Sequence, residues 1–448
     1  MFKRKAYEKL LQWKNKYDGK YAALLEGARR VGKSTIAKTF AEENYESFVL
    51  IDFSNWTKEL KMIFDDIGNL DLFFLEIQDY FKINLVPRKS VIIFDEIQLF
   101  PKARQAIKHL VKDGRYDYIE TGSLISIKKN VKDILIPSEE HKIEVFPMDY
   151  EEFCLACGKN YESIEKLVSM DTSLKNMNRS LMRDFRLYMA IGGMPQAIEA
   201  YINKKSFQDI DDVKREIINL YKNDFAKIDP SGRMSNIFDS VPSQLALKKN
   251  RFVLSRSVGK KRTSKDEELL YDLIDSKTVL PCFRVSEPRC PLNLTKDFRS
   301  YKLYLSDIGL FVTSLFNDGG EVGRNIYSKL LSDKLDANLG YLYENAVAQM
   351  LRASEKELYY FSWKNNEKSR PFEIDFLISD SNKIIPIEVK SSETRNHSSI
   401  NEFSKKYSSS ISRRLLLSQD DFGNDDMLEL KPIYALPFFL NEIKNKRF

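Results

Sequence analysis

Short apolar runs recur through the first 150 positions, and longer mixed segments separate them. The runs at 22–25, 48–53, 91–94, 116–121 and 142–146 have the length and bounding residues of buried strands. The segments at 33–44, 70–82 and 102–112 are long enough for helices. Repeated strand–helix alternation predicts an α/β fold in which a parallel sheet is covered on both faces. Past Tyr150 the strand pattern stops until about Asn223. Helical periodicity at 182–191 and 213–223 is broken by Gly192-Gly193-Met194-Pro195. Residues 225–315 read as short helices and then an extended hairpin, with a turn at Pro288 and Pro291. Beyond Gly319-Gly320 a helix is predicted at 336–353, followed by strands at 358–363, 371–378 and 384–390. The chain has no internal repeat, and 408–412 is a short serine-rich loop at most.

Composition narrows the class. The chain has 448 residues, 43% hydrophobic and 30% charged, which suits a globular protein of several domains. No apolar run approaches the roughly 18–20 residues of a membrane span. The basic N-terminus lacks the apolar stretch of a signal peptide, so a cytoplasmic location and no membrane partner are expected. Cys154 and Cys157 form a C-x-x-C pair, but Cys282 and Cys290 are spaced differently and the histidines are only His109, His141 and His397. A four-ligand zinc site is poorly supported, and the pair reads as ordinary half-buried thiols.

The net charge of +6 is unevenly placed. Lys248, Lys249, Arg251, Arg256, Lys260, Lys261, Arg262 and Lys265 fall in one stretch without an acid, so that stretch carries +8 and the rest of the chain −2. Such local basicity suits DNA or another anionic partner, or a solvated face.

Two motifs carry chemistry near the N-terminus. Gly27-Ala28-Arg29-Arg30-Val31-Gly32-Lys33-Ser34 fits G-x-x-x-x-G-K-[ST], follows a strand and opens a helix. Its backbone N–H groups, with those of Arg30, Val31, Gly32 and Thr35 among them, are expected to surround the phosphates of ATP. Lys33 is expected to bridge the β- and γ-phosphates, and Ser34 to offer its hydroxyl to Mg²⁺. The apolar run Val91-Ile92-Ile93-Phe94 ends in Asp95-Glu96. Asp95 is expected near the magnesium, and Glu96 as the group that polarises water. Thr121 and Ser123, at the exit of the next strand, are candidate γ-phosphate sensors; a plain turn is the competing reading.

A third motif lies near the C-terminus. Glu388 and Lys390 form an E-x-K whose strand alternation puts both on one face. Asp375, on the preceding strand, and Glu344, on the helix before it, complete a set that can hold Mg²⁺ through oxygen, with Lys390 activating water. Paired charges across a half-exposed sheet explain the same residues.

The chain resembles prokaryotic AAA-type ATP-binding proteins whose C-terminal half is a domain of unknown function. The resemblance rests on residues 27–35, 92–98, 121–124, 145–153 (VFPMDYEEF), 192–195 (GGMP), 304–310 (YLSDIGL), 340–345 (GYLYEN), 373–377 (EIDFL) and 385–391 (IPIEVKS), in that order. It implies a P-loop ATPase at 1–149, a helical lid at 150–224, a winged-helix-like domain at 225–316 and a PD-(D/E)XK-nuclease-like domain at 317–448. Relatives carry Gly-Arg after the sensor strand; this chain has Ile134-Leu135-Ile136-Pro137-Ser138-Glu139, so no arginine finger can be assigned. ATPases of this kind often place sites at subunit contacts, which makes a homo-oligomer a candidate state. The expected function is a Mg-dependent ATPase coupled to DNA binding, with DNA cleavage as a candidate activity. The alternative is an ATP-dependent switch that recruits a protein partner and carries a non-catalytic nuclease-like domain.

Overall fold

The apolar runs near the N-terminus form strands because their side chains are buried on both faces. β1 (Ala22–Glu26), β3 (Ser90–Asp95) and β4 (Asp117–Gly122) are buried at every position in the computed structural model, as the central strands of a parallel sheet should be. β2 (Ser47–Asp52) and β5 (Glu140–Glu144) flank them and are only partly buried. The order is β2-β3-β4-β1-β5, and every neighbouring pair is parallel. The structure describes residues 1–55, 57–122, 136–170, 175–247, 251–259, 263–315, 327–332, 340–364, 371–391, 397–425 and 427–445.

The first compact unit is Met1–Phe146 with Asp275–Lys277. Its helices include α1 (Lys5–Tyr17), α2 (Lys33–Asn44), α3 (Lys58–Ile63), α4 (Leu70–Phe81) and α5 (Pro101–Asp113). Phe53, Phe64, Phe73, Phe74, Phe94 and Tyr118 pack within one apolar cluster. α1 was not expected from the apolar pattern. It buries Ala6, Leu10 and Trp13, which recur at helical spacing, and the Trp13 indole donates to the Tyr21 carbonyl at 3.0 Å.

Charges also enter this core. Arg104 from α5 makes two hydrogen bonds to Glu140 at 2.8 and 2.7 Å, with both side chains 2% exposed. Removing either partner would strand the other, at about 3–5 kcal/mol. Glu120 on β4 sits opposite Phe94 and is fully buried. Neither of its carboxylate oxygens has a hydrogen-bond partner among the described residues. Burial pushes the Glu120 carboxyl well above its ordinary range, and Glu140 adds to the push while Arg104 opposes it.

The second unit is Pro147–Ile274 with Thr278–Phe448. Its helices begin at Tyr150–Ala156, where Asp149 and Glu152 form a reciprocal capping box. The helix Lys175–Ile191 ends at Gly192-Gly193. There the Gly193 amide donates to buried Asp307 Oδ2 at 2.6 Å, and Leu310 donates to Oδ1 at 2.8 Å. Asp307 thus ties GGMP to the start of the helix Ile308–Leu315.

The remaining strands are β6 (Val279–Val285), β7 (Lys296–Leu305), β8 (Leu358–Trp363), β9 (Phe372–Asp380), β10 (Lys383–Val389), β11 (Arg414–Ser418), β12 (Gly423–Asp425) and β13 (Leu428–Pro432). They form one sheet in the order β12-β13-β11-β10-β9-β8-β6-β7. The expected hairpin is therefore not separate from the C-terminal strands. β6 pairs antiparallel with β7 and parallel with β8, which covers an edge that β8 would otherwise leave open. The boundary drawn at 316/317 falls between strands of a single sheet. β11 to β13 extend that sheet past the last expected strand. Gly319 and Gly320, and residues 336–339 of the expected helix, lie outside the described residues; the helix is described as Gly340–Ala353. No helix among the described residues is long and apolar enough to cross a membrane.

Glu120→Gln tests the energetic reading of the first core. A carboxyl held above its unfolded pKa costs stability as pH rises from the ordinary glutamate value of about 4.3 toward the raised folded value. The substitution removes that cost. Chemical denaturation should show the variant more stable than wild type by about 1 kcal/mol or more at pH 8, with the gain fading toward pH 5.

Candidate functional site

The phosphate loop leaves β1 at its buried end and feeds α2. Gly27 has no room for a side chain, because a Cβ there would drive into the Val145 carbonyl. Gly32 caps α2 with φ +97°, a conformation natural to glycine. Arg30 also has positive φ and is exposed, as is Thr35 on the first turn of α2. Lys33 is buried and folds back over the loop, donating to the Gly27 and Ala28 carbonyls at 3.0 and 2.9 Å. Burial pulls the Lys33 ammonium below its ordinary range, against the attraction of Glu96 and Asp95.

Asp95 ends β3 beside this loop. Its Oδ1 accepts from Ser34 Oγ at 2.6 Å and also from the Thr121 hydroxyl. β4 lies between β1 and β3, and Leu25 pairs with Thr121, so the end of β4 delivers Thr121 between the loop and the acids. The Glu96 amide donates to Thr121 Oγ1 at 3.2 Å, and the Glu96 carboxylate accepts from Gln98 Nε2 at 2.5 Å. Glu96 itself has φ +55°, uncommon for a residue with a side chain. Thr121 therefore braces both acids. Ser123 lies outside the described residues, as do Ile134 and Leu135.

Sequence reasoning missed Arg4. Its guanidinium is buried and donates to the Val31 carbonyl and the Phe146 carbonyl, both at 2.7 Å. It fastens the middle of the loop to the chain just past β5. The signal was one arginine in the basic run Lys3-Arg4-Lys5 before an amphipathic helix, which reads as ordinary surface charge.

In the second unit, Asp375 on β9 and Glu388 on β10 lie on adjacent antiparallel strands. Glu344 comes from the helix Gly340–Ala353, which packs on this face. The sheet and helix bring Glu344, Asp375, Glu388 and Lys390 within electrostatic range of one another. Lys390 pairs with Glu388 at 2.7 Å, and Asp375 Oδ2 accepts from the Val389 amide at 2.8 Å. A residue not foreseen joins them. Lys302 on β7 lies 2.6 Å from Glu373 Oε1 and 3.8 Å from Glu344 Oε2. Burial, with Asp375 and Glu373 nearby, pushes the Glu344 carboxyl up to about 7 against the pull of Lys302. Among the described residues no three His, Cys, Asp or Glu side chains converge closely enough to hold a metal ion.

Cys154 and Cys157 are free thiols, pushed up to about 12 and about 11 by burial, which disfavours the thiolate that metal binding or redox chemistry needs. Of the basic stretch, Arg251, Arg256 and Lys265 are exposed, whereas Lys248, Lys249, Lys260, Lys261 and Arg262 lie outside the described residues.

Residues 19–154 match the family model described as AAA domain. Residues 182–319 and 339–436 match two models described as domains of unknown function, DUF8612 and DUF4143. No curated protein matches the chain. Among solved structures, the Walker-type ATPase paby2304 of Pyrococcus abyssi is 17% identical, with a TM-score of 0.43 over 70% of this chain and 96% of that one. Cdc6p from Pyrobaculum aerophilum is 10% identical, with a TM-score of 0.26 over 73% of this chain and 95% of that one. Scores this low carry no argument for the whole chain. The family match covers residues 19–154, and the parallel five-stranded sheet of the first unit fits a P-loop domain of that type.

Arg4→Met should loosen the loop without touching the acids. Losing a charge-assisted hydrogen bond worth about 1.5 kcal/mol should weaken nucleotide binding about tenfold. A fluorescent-ATP titration reads this directly, and an unchanged Kd would show that Val31 holds its place without Arg4.

Proposed function

We propose that the protein is a magnesium-dependent ATPase that couples ATP binding and hydrolysis to DNA binding. The observation that carries the reading is Asp95, which is held by Ser34 from the phosphate loop and by Thr121 from the neighbouring strand. Ser34 and Asp95 present hard oxygen donors side by side, which suits Mg²⁺. Bound there with ATP, the ion would neutralise charge on the β- and γ-phosphates.

The chain's own residues supply the rest. The amides of the loop and of the first turn of α2 cradle the phosphates. Lys33 exchanges the Gly27 and Ala28 carbonyls for phosphate oxygens, a better partner for a buried ammonium. Glu96, oriented by Gln98 and by its own braced amide, polarises the attacking water. Thr121 keeps Asp95 and Glu96 in register. The P-loop unit would act on the remaining chain through nucleotide-dependent ordering.

DNA binding rests on the charge of the 248–265 stretch, within which Arg251, Arg256 and Lys265 are exposed. A winged-helix-like arrangement within 225–316 and a PD-(D/E)XK-like arrangement within 317–448 belong to this proposal. One observation favours the alternative of a nucleotide switch with a non-catalytic nuclease-like part. Lys390, the residue that would activate water, is already paired with Glu388.

Lys33→Ala should abolish nucleotide binding. Glu96→Gln should bind ATP with near wild-type affinity and turn it over at least about a hundredfold more slowly, as loss of a general base does. Normal turnover in Glu96→Gln would remove Glu96 from its assigned role.

Replacing Lys260, Lys261 and Arg262 by Gln should weaken DNA binding and lower its salt slope by about 2–3. Affinity and slope left at wild-type values would show that the basic segment is not the DNA contact.

A further inference from the structure

The acidic face of the second sheet holds four carboxylates, Glu344, Glu373, Asp375 and Glu388, and two ammonium groups, Lys302 and Lys390. A divalent cation is the obvious occupant of such a cluster, since carboxylate oxygens are the ligands it takes. The arrangement does not fit one, because no three acids converge among the described residues. The reason is visible in the pairing. Lys302 lies against Glu373 at 2.6 Å and near Glu344 at 3.8 Å. Lys390 takes Glu388 at 2.7 Å, and the Val389 amide takes Asp375 at 2.8 Å.

We infer that Lys302 is a built-in counter-cation that occupies the electrostatic place of a divalent metal, so that this face does not bind one. The fold fixes Lys302 there. It projects from β7, opposite Cys282 of β6, and β6 in turn pairs with β8. Its side chain is 5% exposed, and its ammonium lies 5.3 Å from the centroid of the Tyr360 ring. β7 is the last strand of the sheet, yet the Lys302 ammonium is buried against Glu373 and Tyr360 and does not reach solvent as a surface lysine does. A divalent ion among the same acids would meet a fixed positive charge at contact range.

The inference is independent of the ATPase reading, because it concerns nucleotide-free protein and the second sheet alone. Mn²⁺ binding to the full-length, nucleotide-free chain, counted by electron paramagnetic resonance, tests it. Wild type and Asp375→Asn should bind Mn²⁺ identically. Lys302→Met, which keeps an unbranched side chain one atom shorter and drops its charge, should gain one Mn²⁺ site at least tenfold tighter than any in wild type. Adding Asp375→Asn should abolish that gain. A wild-type Mn²⁺ site that disappears in Asp375→Asn overturns the inference, and this comparison needs no Lys302 variant to fold. A cooperatively melting Lys302→Met that gains no site overturns it as well.

Discussion

Parallel pairing of β1, β4 and β3 is the constraint on which the candidate nucleotide site depends. Parallel strands end on the same edge of a sheet, and here the pairing sets Leu25 level with Thr121 and Phe94 level with Glu120. Two residues past Leu25 the chain enters the loop at Gly27, and one residue past Glu120 and Phe94 it reaches Thr121 and Asp95. Asp95 accepts from Ser34 and Thr121 because three strand exits meet there. An antiparallel β4 would have sent Thr121 to the far edge. The loop's own shape depends on the next strand out, since β5 runs on to the Val145 carbonyl beside Gly27 and the Phe146 carbonyl bound by Arg4.

The parts of this site that could be read from the sequence are those whose signal is local. A glycine-rich loop between a strand and a helix announces itself, and so do two acids at the end of an apolar run. The helix Lys33–Asn44 and the strand Leu358–Trp363 fall where periodicity placed them. Arg4 could not be read, because its partners are backbone carbonyls far along the chain that only folding brings close. Glu120 could not be read either. On paper it is a polar residue in a strand, and only the packed sheet shows that neither oxygen meets a donor among the described residues. Lys302 alternates with Tyr301 and Leu303 like any outward-facing lysine. That the face is covered by a helix is a property of the assembled second unit.

The motifs behind the family resemblance prove to have different physical roles. Those around Gly27 and Asp95 position groups at one edge of a sheet. GGMP and YLSDIGL lie apart from that edge, in the second unit. They meet through Asp307, a fully buried carboxylate that accepts from the Gly193 and Leu310 amides and ends one helix where another begins. Lys214 works in the same neighbourhood. Its buried ammonium donates to the Ala190 carbonyl and to the Tyr327 hydroxyl, both at 2.7 Å, and burial lowers its pKa to about 8. A short motif that recurs in a family can mark a joint as readily as a site.

The β6–β7 hairpin bears on how this protein can be taken apart. Its strands come before residue 317 in sequence but lie in the same sheet as β8, β9 and β10. A C-terminal piece expressed by itself from residue 317 would keep Glu344, Glu373, Asp375 and Glu388 but lose Lys302. It would also expose the edge of β8 that β6 covers. Such a fragment would be a different electrostatic object from the intact chain, stickier at its edge and hungrier for cations. Activity or metal uptake measured on it would describe the cut rather than the protein.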